Sequence, residues 1–197
     1  MMKRIGMCIT LMIAATALLA LPTYGQVTQT EIQKLLASDR ADGDWFGHSV
    51  AIDGDTAVIG APEENDSGLE NNGAAYIFTR TAGTWTQQAK LLASDKDSSD
   101  YFGYSVAIDG DTVVIGAYWE RDSGTFANGA AYVFTRTADV WTQQAKLLAS
   151  DKDSYDNFGR SVAIDSDTVV IGAQVELENR GAVYVFTRSA GNWTEQA

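Results

Sequence analysis

A 17-residue stretch occurs three times in this chain with few changes, and this recurrence limits the possible folds more than any other feature. The copies are WFGHSVAIDGDTAVIGA at 45–61, YFGYSVAIDGDTVVIGA at 101–117 and NFGRSVAIDSDTVVIGA at 157–173. They start 56 residues apart, and the third unit is four residues shorter than the others between Ala173 and Tyr184. A repeat of about 50 residues predicts a β-propeller or a similar array of units.

Each unit is predicted to contain four β-strands and no helix. The segment Ser49 to Ile52 alternates small or polar residues with apolar ones, as a half-buried strand does. Residues 56–61 (TAVIGA) are apolar on both faces, which is typical of a strand covered on both sides. Two more extended runs follow at 73–80 and 84–92. A β-trefoil, which also contains three four-stranded units, is the closest alternative. We predict an all-β fold of three four-stranded antiparallel propeller blades, forming part of a propeller, at about 34–89, 90–145 and 146–197.

Two-residue turn signals separate the first two strands of each unit. Asp53-Gly54 and Asp109-Gly110 favour tight hairpins because glycine adopts positive φ without strain. Asp165-Ser166 lacks the glycine, so we expect this turn to be slightly strained. The strands that follow these turns are predicted to bury Val58, Ile59, Val114, Ile115, Val170 and Ile171.

Small and large side chains occupy different parts of each unit. Gly47 and Gly60-Ala61 stand where the inner strands of a propeller crowd together near the axis. Larger residues such as Tyr76 and Phe78 come late in the unit, where blades diverge and the gap must be filled. We interpret the recurring tryptophans as packing between blades rather than as platforms for carbohydrate stacking; they are Trp85, Trp141 and Trp193.

The first 25 residues have the layout of a secretory signal peptide. Lys3 and Arg4 precede an apolar run, and Pro22 followed by small residues leads to a cleavage site after Gly25. An uncleaved membrane anchor is the alternative, because the run is close to the shortest span that crosses a bilayer. We expect an exported protein that is secreted, periplasmic or at the cell surface, with no stable membrane insertion after cleavage.

The mature chain, residues 26–197, is acidic and has no thiol. Cys8 is the only cysteine and leaves with the signal, which excludes disulfides, cysteine-bound metals and cysteine nucleophiles. Lys3 and Arg4 leave as well, so 12 basic residues face 26 acidic ones and the net charge is −14. This charge repels nucleic acids and anionic membranes, so we expect neither as a partner.

The Phe-Gly and Gly-Ala pairs resemble the FG-GAP repeat, the blade unit of the integrin α-chain propeller and of many bacterial surface proteins. The resemblance implies a propeller across residues 34–197, closer to bacterial repeats with short hairpins. Integrin-type blades carry a D-x-D-x-D-G-x-x-D calcium loop, where this chain has only Asp53-Gly54-Asp55, too few oxygens for a calcium cage. The matching residues are Phe46-Gly47 with Gly60-Ala61-Pro62, Phe102-Gly103 with Gly116-Ala117-Tyr118, and Phe158-Gly159 with Gly172-Ala173-Gln174.

An acidic cluster precedes each Phe-Gly pair. In the second and third units the aspartates have D-x-D-x-x-D spacing, which brings three carboxylates around one hard cation. We interpret each cluster as a solvated turn, in which each aspartate bonds its own backbone, because no glutamate stands where a bidentate ligand would complete a calcium shell. Weak calcium binding is the alternative, and we expect no other cofactor. The candidate ligands are Asp95, Asp97 and Asp100 in one loop and Asp151, Asp153 and Asp156 in the other, with Asp39, Asp42 and Asp44 as the first-unit copy.

No pattern of residues predicts a catalytic site. His48 is the only histidine, and its counterparts are Tyr104 and Arg160, so the repeat does not require it. No acidic residue departs from its repeat copies in the way that an active site would. We therefore expect a non-enzymatic binding or adhesion module with an unidentified protein or glycan ligand. The alternatives are a secreted carbohydrate-active hydrolase or lyase on a propeller scaffold, and the structural stalk of a larger surface protein.

Three blades are too few to close a propeller, which needs four or more. Two apolar blade faces are then left uncovered. The last unit stops at NWTEQA, where earlier units continue with KLLASD, and the segment TQTEIQKLLASD before the first blade copies that outer strand. We interpret the chain as a fragment, or as one that needs further blades or self-association to cover its ends.

Overall fold

The computed structural model describes residues 32–122, 125–175 and 180–196, which form three four-stranded antiparallel sheets. The predicted signal peptide, residues 1–25, lies outside these ranges. Each sheet is a meander of four consecutive strands, so the prediction of an all-β fold of propeller blades is confirmed. The strands are β1 Ser49–Asp53, β2 Thr56–Ala61, β3 Ala74–Thr81, β4 Thr84–Leu91, β5 Ser105–Asp109, β6 Thr112–Ala117, β7 Ala130–Thr137, β8 Val140–Leu147, β9 Phe158–Asp165, β10 Thr168–Ala173, β11 Ala182–Ser189 and β12 Asn192–Glu195.

The first two strands of each blade form a tight hairpin, as predicted. Asp53 is the last residue of β1 and pairs with Thr56, so the two loop residues are Gly54 and Asp55, one position later than the Asp-Gly pair suggested. Gly54 has a φ of 53°, and Ser166 takes the same conformation at 55°. The backbone N–H of Ser166 donates a 2.7 Å hydrogen bond to Asp109 of the preceding blade. The third hairpin therefore keeps the geometry of the others without their glycine.

Replacing Ser166 with glycine is expected to raise the free energy of unfolding by about 0.5 to 1 kcal/mol. The left-handed conformation costs a residue with a side chain about 1 to 2 kcal/mol, and the extra backbone freedom of glycine in the unfolded chain cancels part of the gain. Chemical denaturation measures the change. Gly110→Ser, the reverse exchange in the second blade, should lose a similar amount. A Ser166→Gly chain that is less stable than the parent would contradict the strain.

Consecutive blades approach each other backbone to backbone at their first strands. The Ser49 hydroxyl donates a 2.8 Å hydrogen bond to the carbonyl oxygen of Gly103 in the next blade, and Ser105 does the same to Gly159. A Cβ atom on Gly60 would lie only 1.9 Å from that Gly103 oxygen. The predicted role of the small residues, which is to let the inner strands approach, is confirmed for Gly60 and its counterpart Gly116, whereas a Cβ atom on Gly47 would meet nothing within 4 Å.

The core is built between blades rather than within one sheet. One cluster joins Val58 and Ile77 of the first blade to Phe102, Ile115 and Tyr132 of the second. A second cluster joins the second and third blades in the same way, around buried Phe158 and Ile171. Each inner pair of blade faces is therefore closed by a repeating set of aliphatic and aromatic side chains.

One predicted core residue is exposed. Val58, Ile59, Val114, Ile115 and Ile171 are buried as predicted, but Val170 keeps 36% of its surface. The prediction for Val170 was wrong because its side chain lies on the outer face of the third blade, which no further blade covers in the described residues. The strand is the same as in the other units, and only its neighbour differs.

The tryptophans pack where consecutive blades meet. Trp141 is buried in the cluster between the first and second blades, and its indole N–H donates to Gln88 of the first blade at 3.0 Å. Trp193 is half-buried against the cluster between the second and third blades. An arginine covers each ring, with Arg136 5.1 Å from the centre of Trp141. Packing between blades is therefore confirmed for Trp141 and Trp193.

No helix in the described ranges is long and apolar enough to cross a membrane.

Candidate functional site

The three aspartates of each predicted calcium loop have separate hydrogen-bond partners. In the second unit, Asp95 accepts from the ammonium group of Lys146 at 2.7 Å, and Asp97 accepts from the N–H of Ser98 at 2.8 Å. Asp100 is buried and accepts from the N–H of Asp97 at 2.6 Å. Asp97 and Asp100 thus brace the loop from within, as a solvated turn does, whereas Asp95 is held by a lysine of strand β8.

The third unit repeats this arrangement with one change. Asp151 accepts a 2.8 Å hydrogen bond from the hydroxyl of Tyr184, Asp153 accepts from the N–H of Ser154, and Asp156 accepts from the N–H of Asp153. Within residues 32–122, 125–175 and 180–196, no group of three or more His, Cys, Asp or Glu side chains is arranged to hold a metal ion. Calcium binding by these loops would require the carboxylates to turn away from their present partners, and it stays a prediction.

Calcium at a few millimolar is expected to raise the melting temperature slightly relative to EDTA. Extracellular calcium modules bind at about 10⁻⁴ to 10⁻³ M, so the gain is on the order of 1 kcal/mol. Asp97→Asn and Asp153→Asn should each reduce it, because each removes one ligand from one loop. Identical melting temperatures in calcium and in EDTA would show that the six aspartates have only a structural role.

Asp100 differs from ordinary aspartates in its protonation. Burial raises the pKa of Asp100 to about 7, against the opposing effect of the Asp97 N–H, and the carboxylates of Glu120, Asp97 and Asp95 raise it further. The side chain is only 2% exposed, so a substrate has no access to this acid. The ionisation of Asp100 near neutral pH therefore affects the stability of the fold.

The buried Asp100 is expected to make the protein less stable as the pH rises from about 4 to about 7. The folded state keeps a proton that the unfolded chain releases near its ordinary pKa of about 3.9, so the folded state is favoured at low pH and loses this advantage on ionisation. Asp100→Asn stays neutral and still offers an oxygen to the N–H of Asp97. Its melting temperature should therefore fall less between pH 5 and pH 8 than that of the parent. Asp42→Asn, at an exposed aspartate, is the control and should behave like the parent. If the melting temperature of Asp100→Asn fell as much as those of the parent and the control, the prediction would be contradicted.

In each of the first two units, one lysine forms ion pairs with two acidic loop residues, an arrangement that we call a clamp. Lys146 contacts Glu120 at 2.6 Å as well as Asp95, and Lys90 contacts Glu64 and Asp39 in the same way. Burial would lower the pKa of Lys146, but the hydrogen bonds to its two acidic partners outweigh burial and raise it. The clamps hold the β2–β3 loop, the β6–β7 loop and the segments that precede Phe46-Gly47 and Phe102-Gly103.

Those loops share one face of the protein, which we call the loop face. Ser49 at the start of β1 pairs with Gly60 near the end of β2, so the loop before the first strand and the loop after the second strand lie at the same edge. The start of the third strand and the end of the fourth strand lie at this same edge. Residues just after each Phe-Gly pair and just after each Gly-Ala pair therefore meet on the loop face.

An aromatic cluster with one arginine occupies the loop face, and sequence reasoning did not predict it. The His48 and Tyr104 rings are 4.6 Å apart, Tyr104 and Tyr118 are 4.3 Å apart, and the Arg160 guanidinium lies 5.1 Å from the centres of both tyrosines. His48, Tyr104 and Arg160 are the same repeat position in three blades. The full cluster is Trp45, His48, Tyr101, Tyr104, Tyr118, Trp119, Tyr155 and Arg160.

Three residues of the aromatic cluster have a strained backbone. Trp45, Tyr101 and Tyr155 have φ values of 55°, 55° and 73°, a region that residues with large side chains rarely adopt. Trp45 and Tyr155 are exposed to solvent in the described structure. Asn157, the third-unit counterpart of Trp45 and Tyr101, has a φ of 58°. Gly43 and Ser99, the counterparts of Tyr155, also have positive φ. The conformation therefore belongs to the turn before each Phe-Gly pair, and aromatic residues occupy it here at a cost in strain.

The signal for the cluster was present in the sequence as a departure from the repeat. Positions that packing requires are nearly identical in the three units, whereas His48, Tyr104 and Arg160 differ in all three. Packing between the blades does not constrain this position, so its residue can differ from one unit to the next. The sequence alone does not show that these side chains touch, since they are far apart along the chain.

Comparisons with known proteins agree with this architecture. A family model described as FG-GAP repeat matches residues 29–78, 85–134 and 141–186. The chain is 33% identical to human integrin alpha-X over 145 residues, which is 66% of this chain and 12% of the integrin. It is 30% identical to mouse integrin alpha-2 over 171 residues, which is 78% of this chain and 14% of that protein. The chain thus corresponds to a small part of the length of these relatives.

The matched segments follow the repeat of the observed blades. Each segment contains one Phe-Gly pair and one Gly-Ala pair, and Gly60, Gly103, Gly116 and Gly159 of these pairs form close backbone contacts between consecutive sheets. Together the three segments cover most of the chain. Each includes the first three strands of one blade, and the second and third segments begin in the last strand of the blade before. The chain belongs to the FG-GAP repeat family.

Proposed function

We propose that this chain is an exported, non-enzymatic β-propeller module that binds an extracellular protein through the aromatic cluster on its loop face. The observation that carries the proposal is the contact of Tyr104 and Tyr118 with the Arg160 guanidinium at a surface edge. Tryptophan, tyrosine and arginine are the residues that most often dominate the energy of protein–protein interfaces. The similarity to integrin alpha chains supports an adhesive role at the cell surface or outside the cell.

The rigidity of the loops supports binding with little loss of entropy. Lys90 and Lys146 each link two acidic loop residues, and Lys96 bonds Asp66, which ties the segment before the second blade to the β2–β3 loop of the first. A preformed surface avoids the cost of ordering loops on association. The layout of residues 1–25 supports export, because it matches a cleavable secretory signal.

A non-enzymatic role is supported by the placement of the acids. Asp100, with a pKa of about 7, has the protonation that a general acid needs, but it is buried. The hairpin acids Asp55, Asp111 and Asp167 are paired with arginines at 2.6 to 2.7 Å on the opposite edge of the blades. These carboxylates are engaged in structure, so they support a scaffold rather than a glycoside-cleaving pair.

The test is a binding and turnover comparison on the mature chain. We expect the chain to bind at least one member of a panel of immobilised matrix proteins. Tyr104→Ala and Arg160→Ala should weaken that binding at least tenfold without lowering the melting temperature by more than a few degrees. Val140→Ala, an exposed residue on the outer strand β8, should bind like the parent. Binding to a glycan array alone, or release of sugars from a polysaccharide panel, would overturn the proposal.

A further inference from the structure

The Phe-Gly pair of each following blade inserts into a receptor on the blade before it. The N–H of Phe102 donates to the carbonyl oxygen of Asn72 at 3.0 Å, and the carbonyl oxygen of Gly103 accepts from Ser49. The same contacts join Phe158 to Asn128 and Gly159 to Ser105. The receptor therefore consists of a serine, two glycines and the adjacent backbone, and it occurs twice with the same geometry.

Only glycine fits the two central positions of this receptor. A Cβ on Gly116 would lie 1.9 Å from the Gly159 oxygen, and one on Gly129 would lie 2.0 Å from the Phe158 oxygen. These distances are far below any van der Waals contact. The inserted backbone thus occupies the space that a side chain would need.

The third blade carries the same receptor facing open space. Ser161, Gly172 and Gly181 are the counterparts of Ser105, Gly116 and Gly129, and they line an open cavity of about 640 Å³. A Cβ on Gly172 would meet only the side chain of Ser161 within 3.4 Å. No backbone from another blade among the described residues enters this cavity.

An apolar face surrounds the open receptor. Val170 and Val183 are 36% and 66% exposed, whereas their counterparts Val114 and Ala131 are fully buried under the third blade. Exposed apolar patches of this kind mark interaction sites on soluble proteins.

The same chain exposes the matching insert at its other end. In the first blade, Val50 and Ile52 are 69% and 64% exposed, beside the Phe46-Gly47 pair. Their counterparts Val106 and Ile108 pack into the cluster between the first and second blades. The two uncovered faces therefore have the chemistry of the two halves of the interface that the chain already forms internally.

We propose that the receptor of Ser161, Gly172 and Gly181 binds the Phe46-Gly47 edge of a second copy of this chain. The association is head to tail, with the first blade of one copy stacked on the third blade of the other. Two copies joined at both ends bring six of the described blades together, within the four to eight of closed propellers. A heterologous interface closes into a ring when its rotation allows it, so we expect a closed dimer.

The test uses sedimentation of the mature chain and two variants, each of which damages one half of the interface. Gly172→Ala places a methyl group where the Gly47 carbonyl oxygen would sit, and Val50→Lys places a charge on the inserted face. Each variant should stay folded, because a Cβ atom on Gly172 closely approaches only the Ser161 hydroxyl, which can rotate away, and Val50 is exposed in the single chain. We expect the parent to sediment as a dimer and each variant to associate at least tenfold more weakly. Val140→Lys, on the exposed outer strand, is the control and should dimerise like the parent.

Mixing the two variants separates head-to-tail docking from any symmetric contact. The Gly172→Ala chain keeps an intact insert and the Val50→Lys chain keeps an intact receptor, so the mixture should form a heterodimer through one junction. Dimers with a micromolar dissociation constant would be detected at a chain concentration of about 100 μM. A parent chain that is still monomeric at that concentration would overturn the proposal. So would a Gly172→Ala chain that dimerises normally, or a mixture of folded variants that stays monomeric.

Discussion

Replacing Gly116 with alanine is expected to lower the free energy of unfolding by about 3 kcal/mol or more. The new methyl group would lie 1.9 Å from the carbonyl oxygen of Gly159, which belongs to the backbone of the next blade. A backbone atom in a packed interface moves only if the two sheets separate. Separation would also break the hydrogen bond between Ser105 and Gly159. Urea denaturation of the variant measures the loss.

Gly172→Ala is the matched control for this experiment. It makes the same change at the same repeat position, but its methyl group would meet only the Ser161 hydroxyl, which can rotate away. Measured at a concentration where the chain is monomeric, Gly172→Ala should cost less than about 1 kcal/mol. Equal losses at Gly116 and Gly172 would show that the requirement for glycine lies within the blade rather than between blades.

Replacing Phe102 with alanine is expected to cost about 4 kcal/mol, the usual effect of deleting a fully buried phenylalanine. The ring is completely buried, with edge contacts to Tyr132 at 5.4 Å and Phe134 at 6.0 Å between ring centres. It also packs in the cluster that joins the first and second blades. Truncation would open a cavity in the apolar cluster that joins the two sheets.

Phe46→Ala provides the comparison, because Phe46 has the same aromatic neighbours in the first blade. Its ring lies 5.4 Å from Tyr76 and 6.1 Å from Phe78, but it is only half-buried. We expect a loss of about 1 to 2 kcal/mol for the monomeric chain, since solvent already reaches the site. Thermal or urea melts of the two variants test the difference. If Phe46→Ala cost as much as Phe102→Ala, burial between blades would not explain the role of the Phe-Gly pair.

Local features of the sequence predicted the blades correctly. The alternation in Ser49 to Ile52, the two-sided apolar run at 56–61 and the tight turn between them each act over a few residues, so neighbouring residues suffice to define them. Even the loss of glycine at Ser166 left the hairpin in place, because one strained residue costs less than the paired strands contribute. The repetition of the pattern then identified the array.

Contacts between distant residues were predicted less well. Val170 has the same strand neighbours as Val114, yet one is exposed and the other buried, because only one has a blade beside it. The spacing of Asp95, Asp97 and Asp100 suggested convergence on a cation, but their side chains turn toward three different partners. The aromatic cluster was not predicted at all, since its members come from three separate repeats.

The sequence by itself determined the unit of this protein: a four-stranded blade, repeated three times, with glycines where backbones meet. These properties follow from hydrophobic periodicity and turn chemistry, which are encoded within each repeat. Only the tertiary structure decided which copies of a position are buried, which acids are braced or protonated, and which side chains meet on the loop face. Those outcomes depend on the presence and orientation of a neighbouring blade, because burial and proximity are properties of the assembled sheets and differ among copies that are nearly identical in sequence.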